Sequence, residues 1–292
     1  MAGGRTERRR VTRVTVDPGG ASERADLLAA EEPLGIRVNG AAVSMTMRTP
    51  GDDVDLAAGF LISEGIVASA ADIASIRICD GQRCDHEHGG NDHEADDALG
   101  NIADVTLRPG ITVRPGLGRS FLTSSACGVC GKASIEDLHV PGRFDLFDDP
   151  VLVTAQVLAG LPDTLRHAQR VFERTGGLHA AGLFSAEGEL LVVREDVGRH
   201  NAVDKVVGWA LQAGLLPLTG RILLVSGRAS FELVQKAVLA GIPVLAAVSA
   251  PSSLAAQLAA DAGLTLIGFL RGGSMNVYAG VDRISALRCV PD

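Results

Sequence analysis

The sequence predicts an α/β protein with a large three-layer domain and a smaller α+β domain on its N-terminal side. From about residue 176, short apolar runs alternate with helical segments, a pattern typical of buried, mainly parallel strands covered by helices. The chain has 292 residues, of which 46% are hydrophobic, so it can fill one large core or two modest ones.

The N-terminal part divides into three segments. The stretch RTERRRVTR has little apolar pattern and predicts a disordered basic tail over residues 1–14. Residues 15–125 predict the small α+β domain, with strands at GIRVNG, AVSMTMRT, ASIRIC and ADVTLR and a helix at VDLAAGFLISEGI. Within it, residues 79–100 are polar and rich in glycine, which predicts an exposed loop.

The remaining chain carries a cysteine loop and then the large domain. Residues 126–140 predict a mobile C-x-x-C loop with a short helix, and residues 141–292 predict the three-layer domain. Its helices are expected at TAQVLAGL, PDTLRHAQRVFERTGG, RHNAVDKVVGWALQAG, SFELVQKAVLAG and SSLAAQLAADAG, and its strands at LHAAGLF, ELLVVRE, RILLVS, VLAAVS, LTLIGFL and, at the edge, MNVYA.

The C-x-x-C pair of Cys127 and Cys130 lies in SSACGVCGKAS, between glycines and just before Lys132. A structural zinc site would need a second such pair, which the sequence lacks, although metal remains an alternative. A thioredoxin-like pair would follow a strand directly, whereas RPGLGRSFLTSSA precedes this one. The pattern favours a nucleophilic thiol on a movable loop, with Lys132 favouring the thiolate.

A second group of possible metal ligands, Cys79, Cys84, His86, His88 and His93, lies in the acidic, glycine-rich loop. Such mixtures often bind metals adventitiously, so we expect no functional metal site there.

Four predicted strands end in polar or glycine-rich turns: REDVGRH, SGRAS, SAPSS and RGGS. In open α/β sheets, ligands bind outside the carboxyl ends of the strands, where helices also begin. Arg199, Arg228 and Arg271 add positive charge, and Gly272 and Gly273 allow backbone amides to approach an anion. The turns therefore predict a site for a phosphate-bearing ligand.

Isolated polar residues have ordinary interpretations. His179 and His200 are expected to make local hydrogen bonds, and Ser230 and Ser252 to cap helices. Asp196 is expected to be a cap, and Asp204 to lie on a solvated helix face.

Composition disfavours several classes of protein. The net charge of −8 gives little support for nucleic-acid binding. The basic N-terminus precedes no secretory signal, and the five cysteines are typical of a cytoplasmic protein. The apolar residues 240–270 are interrupted by prolines and an aspartate, so they predict strand, helix and strand rather than a membrane span.

In this order, ACGVCG, TGGLHAAG, EDVGRHNAVDK, SGRASFELVQKA, AVSAPSS and GFLRGGSMNVY resemble the FdhD family of formate dehydrogenase accessory sulfurtransferases. The resemblance implies a cytidine-deaminase-like α/β domain, a small N-terminal domain and a homodimer. It also implies a sulfur carrier that accepts sulfur from a cysteine desulfurase as a persulfide and passes it to the molybdenum cofactor of formate dehydrogenase.

By the same resemblance, Cys127 corresponds to the persulfide cysteine and Cys130 to its partner. The segment implied to bind bis-molybdopterin guanine dinucleotide, which guanine nucleotides are expected to mimic, consists of Leu270, Arg271, Gly272, Gly273, Ser274 and Met275. A non-catalytic cofactor chaperone is the alternative. A zinc deaminase is disfavoured for two reasons. Its signature has a glutamate two positions after the histidine, where this chain has an alanine after His179, and its cysteines follow the histidine, whereas here they precede His179.

Overall fold

A computed structural model describes residues 4–79, 101–111 and 142–285. The strands, in chain order, are β1 (Thr6–Thr15), β2 (Gly20–Ala29), β3 (Glu32–Val38), β4 (Ala41–Arg48), β5 (Ile73–Cys79), β6 (Ile102–Leu107), β7 (Val153–Thr154), β8 (His179–Ser185), β9 (Leu190–Asp196), β10 (Arg221–Val225), β11 (Val244–Ala247), β12 (Thr265–Arg271), β13 (Ser274–Ala279) and β14 (Ile284–Ser285). The helices are α1 (Asp53–Ser63), α2 (Ala155–Ala168), α3 (Arg170–Thr175), α4 (Arg199–Gln212), α5 (Phe231–Leu239) and α6 (Ser253–Asp261).

The C-terminal half is built on a six-stranded sheet with the order β13-β12-β11-β10-β8-β9. β10, β11 and β12 are parallel neighbours, as predicted. The pairs β8–β9, β8–β10 and β12–β13 are antiparallel, so the sheet is more mixed than the prediction of mainly parallel strands. β8 and β9 form the strand pair that LHAAGLF and ELLVVRE predict, whereas β12 and β13 are joined by a tight turn that short apolar runs alone do not reveal.

Helices pack against both faces of this sheet, and the mixed α/β character predicted for the chain is confirmed. On one face Phe184 and Leu224 pack with Leu161 of α2. On the other face Leu183 and Leu223 belong to the core that α4, α5 and α6 complete. Successive strand residues point to opposite faces, so β8, β10, β11 and β12 are buried on both sides, whereas the edge strand β13 is largely exposed. The likeness to cytidine deaminases stays a prediction.

The N-terminal part contains a four-stranded sheet with the order β4-β3-β6-β5, at the four predicted strand positions. Its helix, α1, lies against α4, and the two backbones approach closely at Gly59 and Gly208. A Cβ built on Gly59 would lie 1.8 Å from the carbonyl oxygen of Asp204, and one on Gly208 would lie 1.8 Å from that of Asp55. Glycine at both positions therefore permits the contact that joins this sheet to the C-terminal half.

The disordered tail expected over residues 1–14 is not what the structure shows. β1 pairs with β2 in an antiparallel hairpin, in register from Thr6 opposite Ala29 to Thr15 opposite Gly20. The hairpin is largely exposed, so it lacks the apolar pattern on which the prediction relied. Backbone pairing and a cross-strand ion pair between Arg10 and Glu23, 3.4 Å apart, maintain it instead.

The sequence predicts one helix ending before Pro162 and a second one beginning there, but the structure places the boundary between the two helices after Ala168. α2 continues through Pro162 to Ala168, and α3 begins at Arg170. Leu158, Leu161 and Leu165 of α2 are buried on both sides of the proline, and this packing offsets the hydrogen bond that proline cannot donate.

Candidate ligand-binding crevice

The carboxyl ends of β9, β10, β11 and β12 lie at one edge of the six-stranded sheet. β10 to β12 are parallel, and β9 points the same way because β8 is antiparallel to both β9 and β10. α4, α5 and α6 begin at this edge, so their free N-terminal amides give it partial positive charge. We call this edge the crevice, and its turns are residues 196–199, 226–230, 248–252 and 271–274.

Asp196, at the end of β9, is fully buried below the crevice. Its carboxylate lies 2.7 Å from Lys205 Nζ and accepts hydrogen bonds from the N–H groups of Thr49 and Gly198. The side-chain amide of Asn201 donates a further bond at 3.1 Å. Burial raises the pKa of Asp196, and Lys205 opposes that effect. Asp196 therefore fixes the first turn of α4 and ties it to the residue that follows β4.

Other acidic side chains of the 195–205 segment are also used in packing. Lys236 Nζ donates to both carboxylate oxygens of Asp204 at 2.7 and 2.8 Å, and Ser63 Oγ donates at 2.6 Å. The expectation that Asp204 faces solvent is wrong, because α1 and α5 cover that side of α4 and leave the residue 3% exposed. Glu195 accepts hydrogen bonds from the backbone N–H groups of Val171 and Phe172, in the first turn of α3.

The crevice corner is formed by His179, Arg199 and Gly227, from β8, α4 and the turn after β10. A Cβ on Gly227 would lie 3.3 Å from His179 Nδ1 and 3.9 Å from Arg199 Cδ, so this turn runs directly beside both side chains. Burial lowers the pKa of His179, and the neighbouring Arg199 and His200 lower it further. His179 is therefore a neutral imidazole at neutral pH, with one donor and one acceptor nitrogen.

His200 lies in the first turn of α4 and contacts the start of α5. Its Nε2 is 2.8 Å from Glu232 Oε2 and 3.3 Å from Ser230 Oγ. The local hydrogen-bonding role predicted for His200 is confirmed. Ser230 is the N-cap residue of α5, but its hydroxyl makes no capping bond and faces His200 instead. Glu232 was not singled out from the sequence, although an acidic residue two positions after a candidate cap signals a helix start.

The middle turns of the crevice are joined by backbone hydrogen bonds. Ala229 N–H donates to the carbonyl of Ala250, and Ser252 N–H donates to the carbonyl of Ala229. Ser252 Oγ accepts a hydrogen bond from Ala255 N–H at 3.2 Å, which confirms the predicted cap of α6. The floor of the crevice between β10 and β11 is therefore fixed.

The turn between β12 and β13 has Gly272 and Gly273 at its centre. Their φ angles are 57° and 76°, so the tight two-residue turn requires positive φ at both positions, which glycine adopts without strain. In the described part of the chain, no atom of a residue outside the turn lies within 4 Å of a Cβ built on either glycine. The Arg271 guanidinium lies 5.6 Å from the centre of the Phe269 ring, and Ser274 Oγ donates to the carbonyl of Arg271.

The predicted cofactor-binding segment combines core and surface residues. Leu270 is fully buried in the core beside α2, and Met275 packs against the same core while partly exposed. Arg271, Gly272 and Ser274 are exposed. Leu270 and Met275 therefore anchor the hairpin, and the residues between them lie at the surface.

Cys127, Cys130 and Lys132 lie outside the described residues. The same holds for the polar loop after Cys79, which ends β5.

Over residues 4–79, 101–111 and 142–285, no group of three or more His, Cys, Asp or Glu side chains is arranged to hold a metal ion. Within the same ranges, every helix is too short or too polar to cross a membrane.

Comparison with known proteins gives consistent matches over nearly the whole chain. The model of the FdhD/NarQ family matches residues 29–285. Sulfur carrier protein FdhD of Streptomyces coelicolor is 58% identical over 282 residues, which cover 96% of each chain. Its namesake from Mycolicibacterium paratuberculosis is 58% identical over 281 residues, covering 96% of this chain and 98% of that protein.

A crystal structure of a protein assigned as a formate dehydrogenase accessory protein, from Desulfotalea psychrophila, has a similar fold. The TM-score is 0.72 at 24% identity, over 96% of this chain and 100% of that one. Since the family model covers most of the sequence and the relatives match along their length, the chain belongs to the FdhD/NarQ family.

Proposed function

We propose that this protein is a sulfur carrier, a sulfurtransferase that accepts sulfur from a cysteine desulfurase as a persulfide on Cys127. It then transfers the sulfur to the molybdenum cofactor, bis-molybdopterin guanine dinucleotide, required for formate dehydrogenase activity. The observation that carries the proposal is the 58% identity, over nearly the whole chain, with proteins named as sulfur carriers. The C-x-x-C pair supplies the thiol that such a carrier needs.

The chemistry requires a thiolate at Cys127. The thiolate attacks the terminal sulfur of the desulfurase persulfide, so a new S–S bond forms at Cys127 and the desulfurase cysteine leaves as a thiolate. Cys130 is placed by sequence to act next, either by releasing the sulfur as a disulfide forms or by relaying it. Lys132 favours the charged form of the nucleophile.

The crevice is the proposed site for the cofactor. The residues of the β12–β13 turn fit an anionic ligand, because the Arg271 side chain is exposed and the space beyond Gly272 and Gly273 is open. The helix starts of the same edge add amide donors. In this proposal Arg271, Gly272, Gly273 and Ser274 contact the cofactor, and Leu270 and Met275 hold the turn in position.

The proposal also specifies the setting. The partners are a cysteine desulfurase and the formate dehydrogenase apoenzyme, the protein acts as a homodimer, and the compartment is the cytoplasm. No resident metal is required, since the molybdenum cofactor is the recipient of the sulfur. In binding experiments, guanine nucleotide mimics that cofactor.

Intact-mass spectrometry after incubation with a desulfurase and cysteine tests the sulfur-accepting step. The wild-type chain should gain one sulfur atom that reductant removes, and Cys127→Ala should gain none. Cys130→Ala is the matched control, because it removes a thiol from the same loop and leaves the acceptor in place.

Sulfur uptake by Cys127→Ala would show that Cys127 is not the acceptor. If the wild type takes up no sulfur but still binds guanine nucleotide, the protein is a non-catalytic cofactor chaperone instead.

A further inference from the structure

We propose that the crevice contains a second anion site, at the corner formed by His179, Arg199 and Gly227, in addition to the β12–β13 turn. We further propose that the ligand is an extended molecule with two separate phosphate groups, one at each site. The identity of that ligand rests on the proposed function, whereas the corner site rests on the contacts described below.

The Arg199 guanidinium has an unsatisfied donor. Its Nε is buried, and among residues 4–79, 101–111 and 142–285 no atom accepts a hydrogen bond from it. Leaving a buried donor without a partner costs about 1–3 kcal/mol, more when the group is charged. A phosphate oxygen bound at the corner would remove this cost through a charge-assisted hydrogen bond.

The turn beside Arg199 offers further donors. In the described part of the chain, nothing accepts a hydrogen bond from the backbone N–H of Gly227 or Arg228, while Ser226 N–H is bonded to Ala180. Nδ1 of His179 lies 3.3 Å from the Cβ position of Gly227, so the imidazole forms the opposite wall. Two adjacent free amides next to a cation are typical of anion-binding turns.

The carboxylates near the corner are paired with other side chains, so the charge at the corner itself is positive. Asp196 is fully buried and paired with Lys205, and Glu232 is paired with His200. The Arg228 side chain, at the tip of the turn, is exposed and adds a second positive charge beside Arg199.

The strand order separates the two sites. β12 is two strands away from β10, three from β8 and four from β9. With neighbouring strands about 4.8 Å apart, the β12–β13 turn lies roughly 10–19 Å from the residues of the corner. One phosphate or pyrophosphate cannot reach both places, so simultaneous use of both sites selects a long ligand with two anionic groups.

Isothermal titration calorimetry with inorganic pyrophosphate tests the two-site arrangement on the full chain. Wild-type protein should bind two pyrophosphates per chain. Arg199→Gln and Arg271→Gln should each abolish one site and leave the other. Arg221→Gln, at the opposite end of β10, is the matched control and should keep two.

A second variant tests the corner site independently, in case Arg199→Gln does not fold. Gly227→Ala keeps every charge and places a methyl group 3.3 Å from His179 Nδ1, which narrows the corner, so it should weaken one of the two sites about tenfold. Binding of fewer than two pyrophosphates by the wild type, or two unaltered sites in either corner variant, would overturn the proposal.

Sulfur loading of the wild type at Cys127 is measured separately. Absence of loading with two intact pyrophosphate sites would contradict the sulfur-carrier function and not the corner site.

Discussion

At the residue scale, His179 makes stability depend on pH. Its pKa is lowered from the ordinary value of 6.5, first by burial and then by Arg199 and His200. Between the folded-state pKa and 6.5, the unfolded chain therefore binds more protons at this position than the folded chain. The contribution of His179 to the free energy of unfolding therefore rises with pH in this window, and it is lost as the pH falls below 6.5.

Replacing His179 by glutamine should flatten this dependence. Chemical denaturation at a series of pH values below 7 should show a smaller rise in the free energy of unfolding for His179→Gln than for the wild type. His167→Gln removes an exposed imidazole on α2 and controls for the loss of a histidine as such. Equal slopes in wild type and His179→Gln would show that the fold does not perturb His179.

Residue roles were predictable where they depend on local sequence. The Ser252 cap and the hydrogen bonds of His200 involve residues close to a helix start, which the sequence marks. Asp204 was assigned wrongly because its partner Ser63 comes from α1, 141 positions earlier in the chain. No local pattern identifies a partner at that separation.

At the scale of elements, the packing of α1 on α4 depends on two glycines. Gly208→Ala would place a methyl group 1.8 Å from the carbonyl oxygen of Asp55. Because the obstacle is backbone, the helices must separate, and we expect a loss of at least about 3 kcal/mol in the free energy of unfolding. Urea denaturation monitored by circular dichroism measures this loss.

Gly160→Ala is the control for the helix-forming tendency of alanine. Gly160 lies inside α2, and no described atom outside the helix backbone is within 4 Å of its Cβ position, so alanine should stabilise the protein by about 0.5–1 kcal/mol. If Gly208→Ala were equally harmless, the close approach of α1 and α4 would not be present in solution.

At the scale of the whole molecule, one hydrophobic core extends through both predicted domains. It contains Leu34 of β3, Leu61 of α1, Val206 of α4 and Leu223 of β10. Arg194 of β9 also pairs with Asp55 of α1 at 2.7 Å, with both side chains less than one-fifth exposed. The two parts therefore stabilise each other.

We expect both parts to unfold together. Differential scanning calorimetry should show a single transition whose calorimetric and van't Hoff enthalpies agree. Gly59→Ala, which disturbs the α1–α4 contact, should lower the temperature of that transition as a whole. Two separate transitions in the wild type would instead show that the parts fold as independent domains.

The sequence by itself determined the alternation of strands and helices in the C-terminal half and the placement of polar turns at strand ends. Apolar periodicity and turn residues are local, so they can be read without the fold. The same local signals predicted Gly272 and Gly273 in a turn beside the sheet.

Only the tertiary structure decided which side chains face the crevice. Within residues 195–205, Asp196, Asp204 and Lys205 are buried by contacts with Thr49 and α1, while Arg199 and His200 remain at the crevice. The burial of these side chains depends on segments far apart in the chain, and that distance is why no local pattern could reveal it. The N-terminal hairpin was missed for another reason, because its exposed strands carry no apolar alternation.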